Sequence, residues 1–203
     1  MPIDESPEGP SLPELRDVSD PRLLRALAHP VRIALIEVLS LHGAMTATEA
    51  GEAIGESPTT CSFHLRQLAR YGVVEEAGGG RGRARPWKMT SIGMRIGVTD
   101  DPETELAAGA LTRILRDRAL ARYRTWLETR AGYPLRWREA VGDSEYVFYL
   151  TVGELEGLNE RLTALLLPFL RERLTDASAR PPGAIPVEML VISYPIAPPP
   201  AEG

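Results

Sequence analysis

Between Ser57 and Gly72 the chain carries its clearest local instruction: a serine, then a proline, then a run without a single carboxylate up to Tyr71, then a glycine. Ser57 suits a helix N-cap and Pro58 the first helical position, and Gly72 can adopt the left-handed conformation that ends a helix. Inside these limits Cys61, Leu65 and Leu68 share one face at helical spacing, while Thr59, Phe63, Arg66, Gln67 and Arg70 fall opposite. The outward set offers hydroxyls, an amide and guanidiniums. Arginine can fork onto guanine and glutamine onto adenine, and serine or threonine can bond phosphate or base. An ordinary amphipathic surface helix has the same spacing, so the neighbouring segments decide between the two readings.

Thr46-Ala47-Thr48-Glu49 has the form of a capping box and predicts a helix over Ala47 to Ile54, with Ala50, Ala53 and Ile54 inward and Gly55 at its end. A short helix, a tight turn at Gly55-Glu56-Ser57 and the polar-faced helix make a helix-turn-helix whose second member would enter the major groove. Upstream, Asp20-Pro21 opens a short helix carrying Leu23, Leu24 and Leu27. A second helix starts at Pro30, with Val31, Ala34, Leu35, Val38 and Leu39 as its apolar stripe before Gly43.

Downstream, Val73 to Glu76 reads as a strand, Gly78 to Gly82 as a flexible loop, and Arg85 to Met89 as a second strand. No acidic residue occurs from Gly78 to Thr99, whereas Arg81, Arg83, Arg85, Lys88 and Arg95 all lie there. A hairpin with such a basic tip can lay cations along phosphates or into the minor groove. The glycines do not read as a nucleotide cradle, because the loop lies between strands and lacks the Lys-Ser/Thr or helix start that phosphate loops need.

The formal net charge of −5 argues against a protein coated in positive charge and makes the local basic stretch more telling than the sum. One cysteine cannot form an internal disulfide, and a cytoplasmic location is the default expectation. The N-terminus does not have the form of a signal peptide and no apolar run is long enough to span a bilayer, so no membrane partner is expected. Met1 to Ser19, rich in Pro, Glu and Ser, reads as a mostly disordered tail.

Leu27-Ala28-His29-Pro30-Val31-Arg32, Thr46 to Glu49, Ser62 to Leu68 and Tyr71-Gly72-Val73-Val74-Glu75, in this order, resemble the winged helix-turn-helix repressors of the ArsR type. The resemblance covers roughly Asp20 to Thr90. It implies a recognition helix from Ser57 to Tyr71, a wing at the hairpin, and a homodimer acting on double-stranded DNA at a near-palindromic operator. The DNA-binding residues are then Ser57, Thr59, Thr60, Ser62, Phe63, His64, Arg66, Gln67 and Arg70 of the helix, with Arg81, Arg83, Arg85 and Lys88 of the wing. Metal-sensing members of that type place cysteines or histidines on the helix before the recognition helix, and Ala47 to Ile54 has none. Cys61 and His64 do not close a site by themselves, so no metal and no cofactor is expected. Cys61 reads as a small core residue and His64 as a polar edge of the packed face. Without a nucleophile elbow or a His-Glu metal motif the chain does not read as an enzyme. The rival reading is a protein-interaction module that keeps the winged helix without binding DNA.

The second half departs from the short form of that family. Pro102 to about Gly132 predicts one long helix, placed where related proteins dimerise. Trp137 to Leu150 reads as a hairpin around Gly142-Asp143-Ser144, with Tyr146 to Leu150 apolar on both faces and so buried. Thr151 to Glu154 repeats the capping-box form and opens a helix to about Arg173, bent at Pro168, and Val187 to Tyr194 reads as another buried strand. The expected fold class is α+β. Its parts are tails at 1–19 and 197–203, a winged helix-turn-helix at 20–99, a dimerisation helix at 100–133 and a small α+β domain at 134–196. Tyr146, Phe148, Tyr149 and Tyr194 would either line an apolar pocket for a small organic effector or simply close the core between strand and helix.

Overall fold

A computed structural model describes residues 15–78, 85–175 and 177–196. Helix ends fall where the capping chemistry places them. Asp20 accepts from the Arg22 amide at 2.8 Å and Pro21 opens α1 (Pro21–Leu27). His29 Nδ1 accepts from the Val31 amide at 3.2 Å, Pro30 opens α2 (Pro30–His42), and Gly43 closes it. Thr46 and Glu49 cap each other at the start of α3 (Ala47–Ile54), and Gly55 ends it at φ 74°. Ser57 accepts from the Thr60 amide at 3.0 Å, opening α4 (Pro58–Arg70). Gly72, at φ 64°, turns the chain out of it.

The turn between α3 and α4 depends on Gly51. Its carbonyl accepts from the amides of both Gly55 and Glu56, and a Cβ at Gly51 would sit 2.6 Å from the Glu56 carbonyl oxygen. This close approach also corrects the expected stripe of α3. Ala50 and Gly51 are buried and Ile54 is half-buried, while Ala53 is exposed. The helix meets its neighbours over the side where a missing side chain lets backbone approach backbone.

The wing pairs β2 (Val74–Glu76) antiparallel with β3 (Trp87–Met89) in the register Val74↔Met89, Glu75↔Lys88 and Glu76↔Trp87. Met45 and Trp87 exchange backbone hydrogen bonds of 2.9 and 2.7 Å, attaching the hairpin to the segment before α3. A second pair of strands lies outside the sequence expectation. Leu15–Val18 (β1) runs parallel to Gly93–Ile96 (β4), so the stretch expected to be tail up to Ser19 is ordered from Leu15. Its single fully buried side chain, Val18, is too little pattern to signal a strand, and its partner lies far along the chain.

Val18, Leu24, Leu27, Leu35, Leu39, Cys61, Leu65, Leu68, Val73 and Val74 are buried in one cluster, which Ala107, Ala108 and Leu111 of α5 (Pro102–Thr129) complete. A 3₁₀ turn at Arg130–Gly132 ends that helix close to its expected limit. Two arginines of α5 clasp α2. Arg118 reaches Glu37 at 3.2 and 2.5 Å and Arg122 reaches it at 2.9 Å. Burial alone would push the Glu37 carboxyl up; the hydrogen bonds and charges of Arg118, then of Arg122, win and hold it below the ordinary carboxylate range.

Beyond α5 the expected sheet is absent among the described residues. Leu135–Ala140 forms a short helix, α6, where one arm of a hairpin was expected, and Ser144–Leu150 forms no strand. The Thr151–Glu154 cap opens α7 (Val152–Thr175), which continues across Pro168. Val187–Tyr194 forms no strand either. Both were expected to be buried strands. Instead Tyr146, Phe148, Tyr149 and Tyr194 are exposed, so they neither close a core nor enclose an effector pocket. A two-sided apolar run becomes a buried strand only when layers cover both faces, and one copy of this chain supplies none.

Gly51→Ala should lower stability by about 1–3 kcal/mol, because the added methyl meets a backbone oxygen that cannot swing away. Urea unfolding of the pair checks it, and an unchanged midpoint would show the turn to be more yielding than its geometry.

Candidate nucleic-acid interface

The buried face of α4 is formed by Cys61, His64, Leu65 and Leu68. Thr59, Phe63, Arg66 and Arg70 are exposed beside Ser57, and Thr60, Ser62 and Gln67 are half-buried at the rim. Eight of the nine helix residues expected to meet DNA are thus at least partly open to solvent. The other, His64, is turned inward with 8% of its surface accessible, its ring 4.5 Å from that of His29. Position 64 lies one helical turn before Leu68 and three residues after Cys61, so it joins the packed stripe rather than bordering it.

Several outward side chains already have local partners. The Ser57 and Thr60 hydroxyls are 2.8 Å apart at the N-cap, and Arg66 donates to the Ser62 hydroxyl at 2.7 Å. Arg66 must leave Ser62 to reach a base edge, at the modest cost of one exposed hydrogen bond. Phe63 is 50% exposed and stands edge-on to His64 at 5.1 Å. An exposed phenyl beside hydroxyls suits contact with a thymine methyl. The helix N-terminus, free of acidic residues in its first turn, adds its own positive end.

The wing is less uniformly basic than the sequence between Gly78 and Thr99 suggests. Lys88 lies 3.1 Å from Glu75, directly across the ladder, and Arg85 donates to Glu76 at 2.7 Å. Sequence reasoning noted Glu75 and Glu76 but not their register against the basic strand; the opposed Glu–Lys pair was the available signal. Such exposed pairs are screened by solvent and weak, so a phosphate can displace the carboxylates. Arg81 and Arg83 lie outside the described residues. Arg70 makes no ion pair among the described residues and stands at the end of α4.

One positioning residue was missed altogether. Arg16 of β1 donates to the Tyr71 and Gly72 carbonyls, both at 2.6 Å, and so satisfies two acceptors where α4 ends. The guanidinium also places positive charge at the negative end of the helix. Only the long-range pairing of β1 with β4 brings it there.

No group of three or more His, Cys, Asp or Glu side chains able to hold a metal occurs among the described residues. Cys61 is fully buried, and burial, then the charge of Glu56, pushes its thiol above the ordinary range, which suits a packing role. No described helix is long and apolar enough to cross a membrane.

Helices α2 to α4, the turn at Gly55 and the hairpin β2–β3 define a winged helix-turn-helix, the fold class used by many DNA-binding transcription regulators. Residues 27–77 match a family described as a helix-turn-helix domain. Among solved structures the chain is similar to a MarR family regulator from Neisseria meningitidis, with 18% identity and a TM-score of 0.34 over 70% of this chain and 80% of that one. It is also similar to MepR, a transcription regulator of the Staphylococcus aureus multidrug efflux pump MepA, with 14% identity and a TM-score of 0.30 over 73% and 91% of the two chains. Likenesses this distant carry no property of those proteins over to this chain. No curated protein matches it.

His64 sets a pH dependence. Burial lowers its pKa first, His29 and Arg32 lower it further, and Glu56 opposes them only in part. The folded state therefore disfavours the proton that the unfolded chain accepts below about pH 6.5. Stability should be unaffected by this group above that pH and fall as pH drops through it. Thermal unfolding from pH 7.5 to 5 should show a smaller acid loss in His64→Leu than in the parent; equal slopes would remove His64 as the cause.

Proposed function

We propose that the protein is a sequence-specific DNA-binding transcription regulator of the ArsR type. It acts as a homodimeric repressor on a near-palindromic operator, with α4 in the major groove and the wing along the backbone or in the minor groove. The observation that carries this reading is the outward side of α4, where Thr59, Phe63, Arg66, Gln67 and Arg70 stand open or at the rim with no carboxylate among them. A helix that only had to be soluble would mix both signs there. In a dimer the two α4 helices would need to stand about 34 Å apart, one turn of duplex, to enter successive major grooves.

Roles follow from chemistry and position. Arg66 and Gln67 read base edges, while Thr59, Thr60 and Ser62 set register against the backbone. Arg70, Arg81 and Arg83 supply most of the phosphate attraction. Arg85 and Lys88 supply less, because each must first exchange a carboxylate of β2 for a phosphate. Selection from a random duplex pool should return one preferred motif. Arg66→Ala or Gln67→Ala should relax it at one or two positions per half-site, costing about 1–3 kcal/mol for a bidentate interaction. Arg81→Ala with Arg83→Ala should weaken all sequences alike and reduce the log–log salt slope by about 1 for each phosphate no longer neutralised. No selected motif together with salt-insensitive retention on heparin would instead favour the protein-interaction reading.

A further inference from the structure

From Leu120 to Ile196 no described residue is buried, although apolar side chains are dense there. Twenty large ones between Tyr133 and Ile196 are exposed among the described residues. At roughly 100 Å² of exposed surface each, about half of what a large side chain buries when fully covered, they present about 2,000 Å² on one chain. An obligate homodimer buries about 2,000–5,000 Å² over both partners, so this surface has the size of one half of such an interface.

The backbone lacks protein partners in the same places. Among the described residues no backbone hydrogen bond joins Ser144–Leu150 or Val187–Tyr194 to another segment. Neither forms a strand in one chain, yet the Tyr146 and Phe148 rings stack at 5.8 Å, as residues two apart do in a strand. Each carries apolar side chains and free backbone groups, the combination that can add as a strand to another chain. Charges without an ion pair among the described residues occur in both signs on each helix, Arg113, Arg116 and Arg124 with Asp117 and Glu128 on α5, and Glu156 and Glu160 with Arg161 on α7. A two-fold axis brings the same patches of two identical chains together, where such mixed charges can pair.

We infer that the C-terminal half is completed by a second copy of this chain: Ser144–Leu150 and Val187–Tyr194 pair as β-strands with the partner, whose α5 and α7 cover their apolar faces. The inference rests on the homodimer in the reading above and not on its DNA contacts. It moves the main interface from α5 alone to the whole region after it, and the sheet expected from the sequence then exists only between chains.

The full chain, of 22.2 kDa, should have the molar mass of two chains by light scattering. Amides of 145–150 and 187–194 should exchange slowly in the dimer and lose protection on dilution to the monomer. Val147→Glu with Tyr149→Glu should halve the mass, and Ile192→Glu should do the same, while the N-terminal half keeps its melting transition and its salt-sensitive retention on heparin. A parent of one-chain mass would overturn the inference. So would protected amides in a species of one-chain mass, which would mean pairing within the chain, or a dimer surviving both sets of substitutions, which would leave α5 as the interface. Heparin retention and motif selection report on DNA binding separately, so failure here and failure there are distinct results.

Discussion

Leu65 and Leu68 admit no solvent, and they share a cluster with Leu35 and Leu39 of α2. A buried leucine contributes about 1.5–3 kcal/mol, against about 0–1 for an exposed ion pair. The orientation of α4 is therefore set by apolar packing on its inner side, and nothing on its outer side has to hold it in place. That division leaves Thr59, Phe63, Arg66 and Arg70 available for a partner. Where polar groups do fix α4, they act at its ends: Ser57 at the first turn and the Arg16 guanidinium at the last carbonyls.

Electrostatics then shape the surface that packing presents. The chain is acidic overall, and its carboxylates approach the wing through Glu75 and Glu76. Two wing cations are thereby held in place and partly neutralised. Arg32 and His29 surround the inner side of His64, and its Nδ1 is buried without a partner. The unmet hydrogen bond there is a local cost carried by the surrounding leucines.

Much of the N-terminal half was legible because its signals are local. Asp20-Pro21, His29-Pro30, Thr46 with Glu49 and Ser57-Pro58 each specify a helix start within four residues, and all four starts are found. The winged helix-turn-helix follows from their order. What escaped depends on contacts distant in sequence: β1 against β4, Arg16 on the end of α4, and Lys88 opposite Glu75. His64 was placed outside because histidine is polar, yet its helical position and its neighbour His29 put it in the core. The C-terminal strands were read from a two-sided apolar pattern, which records that faces are to be covered but not by what. In one chain Tyr149 and Val187 stay in solvent.

The segment matched as a helix-turn-helix, 27–77, does not contain the whole of its own core. Val18 and Leu24 enter the core from before it and Ala107, Ala108 and Leu111 from after it, and Glu37 inside it is held by Arg118 outside. A fragment cut at the limits of the match would lose both walls of its core and one of the ties at the end of α4. The piece that matches other proteins is thus smaller than the piece that is packed together here. The middle of α5 touches α2 directly through Glu37, and α2 in turn shares its buried leucines with α4, so the three helices are joined by one continuous set of contacts.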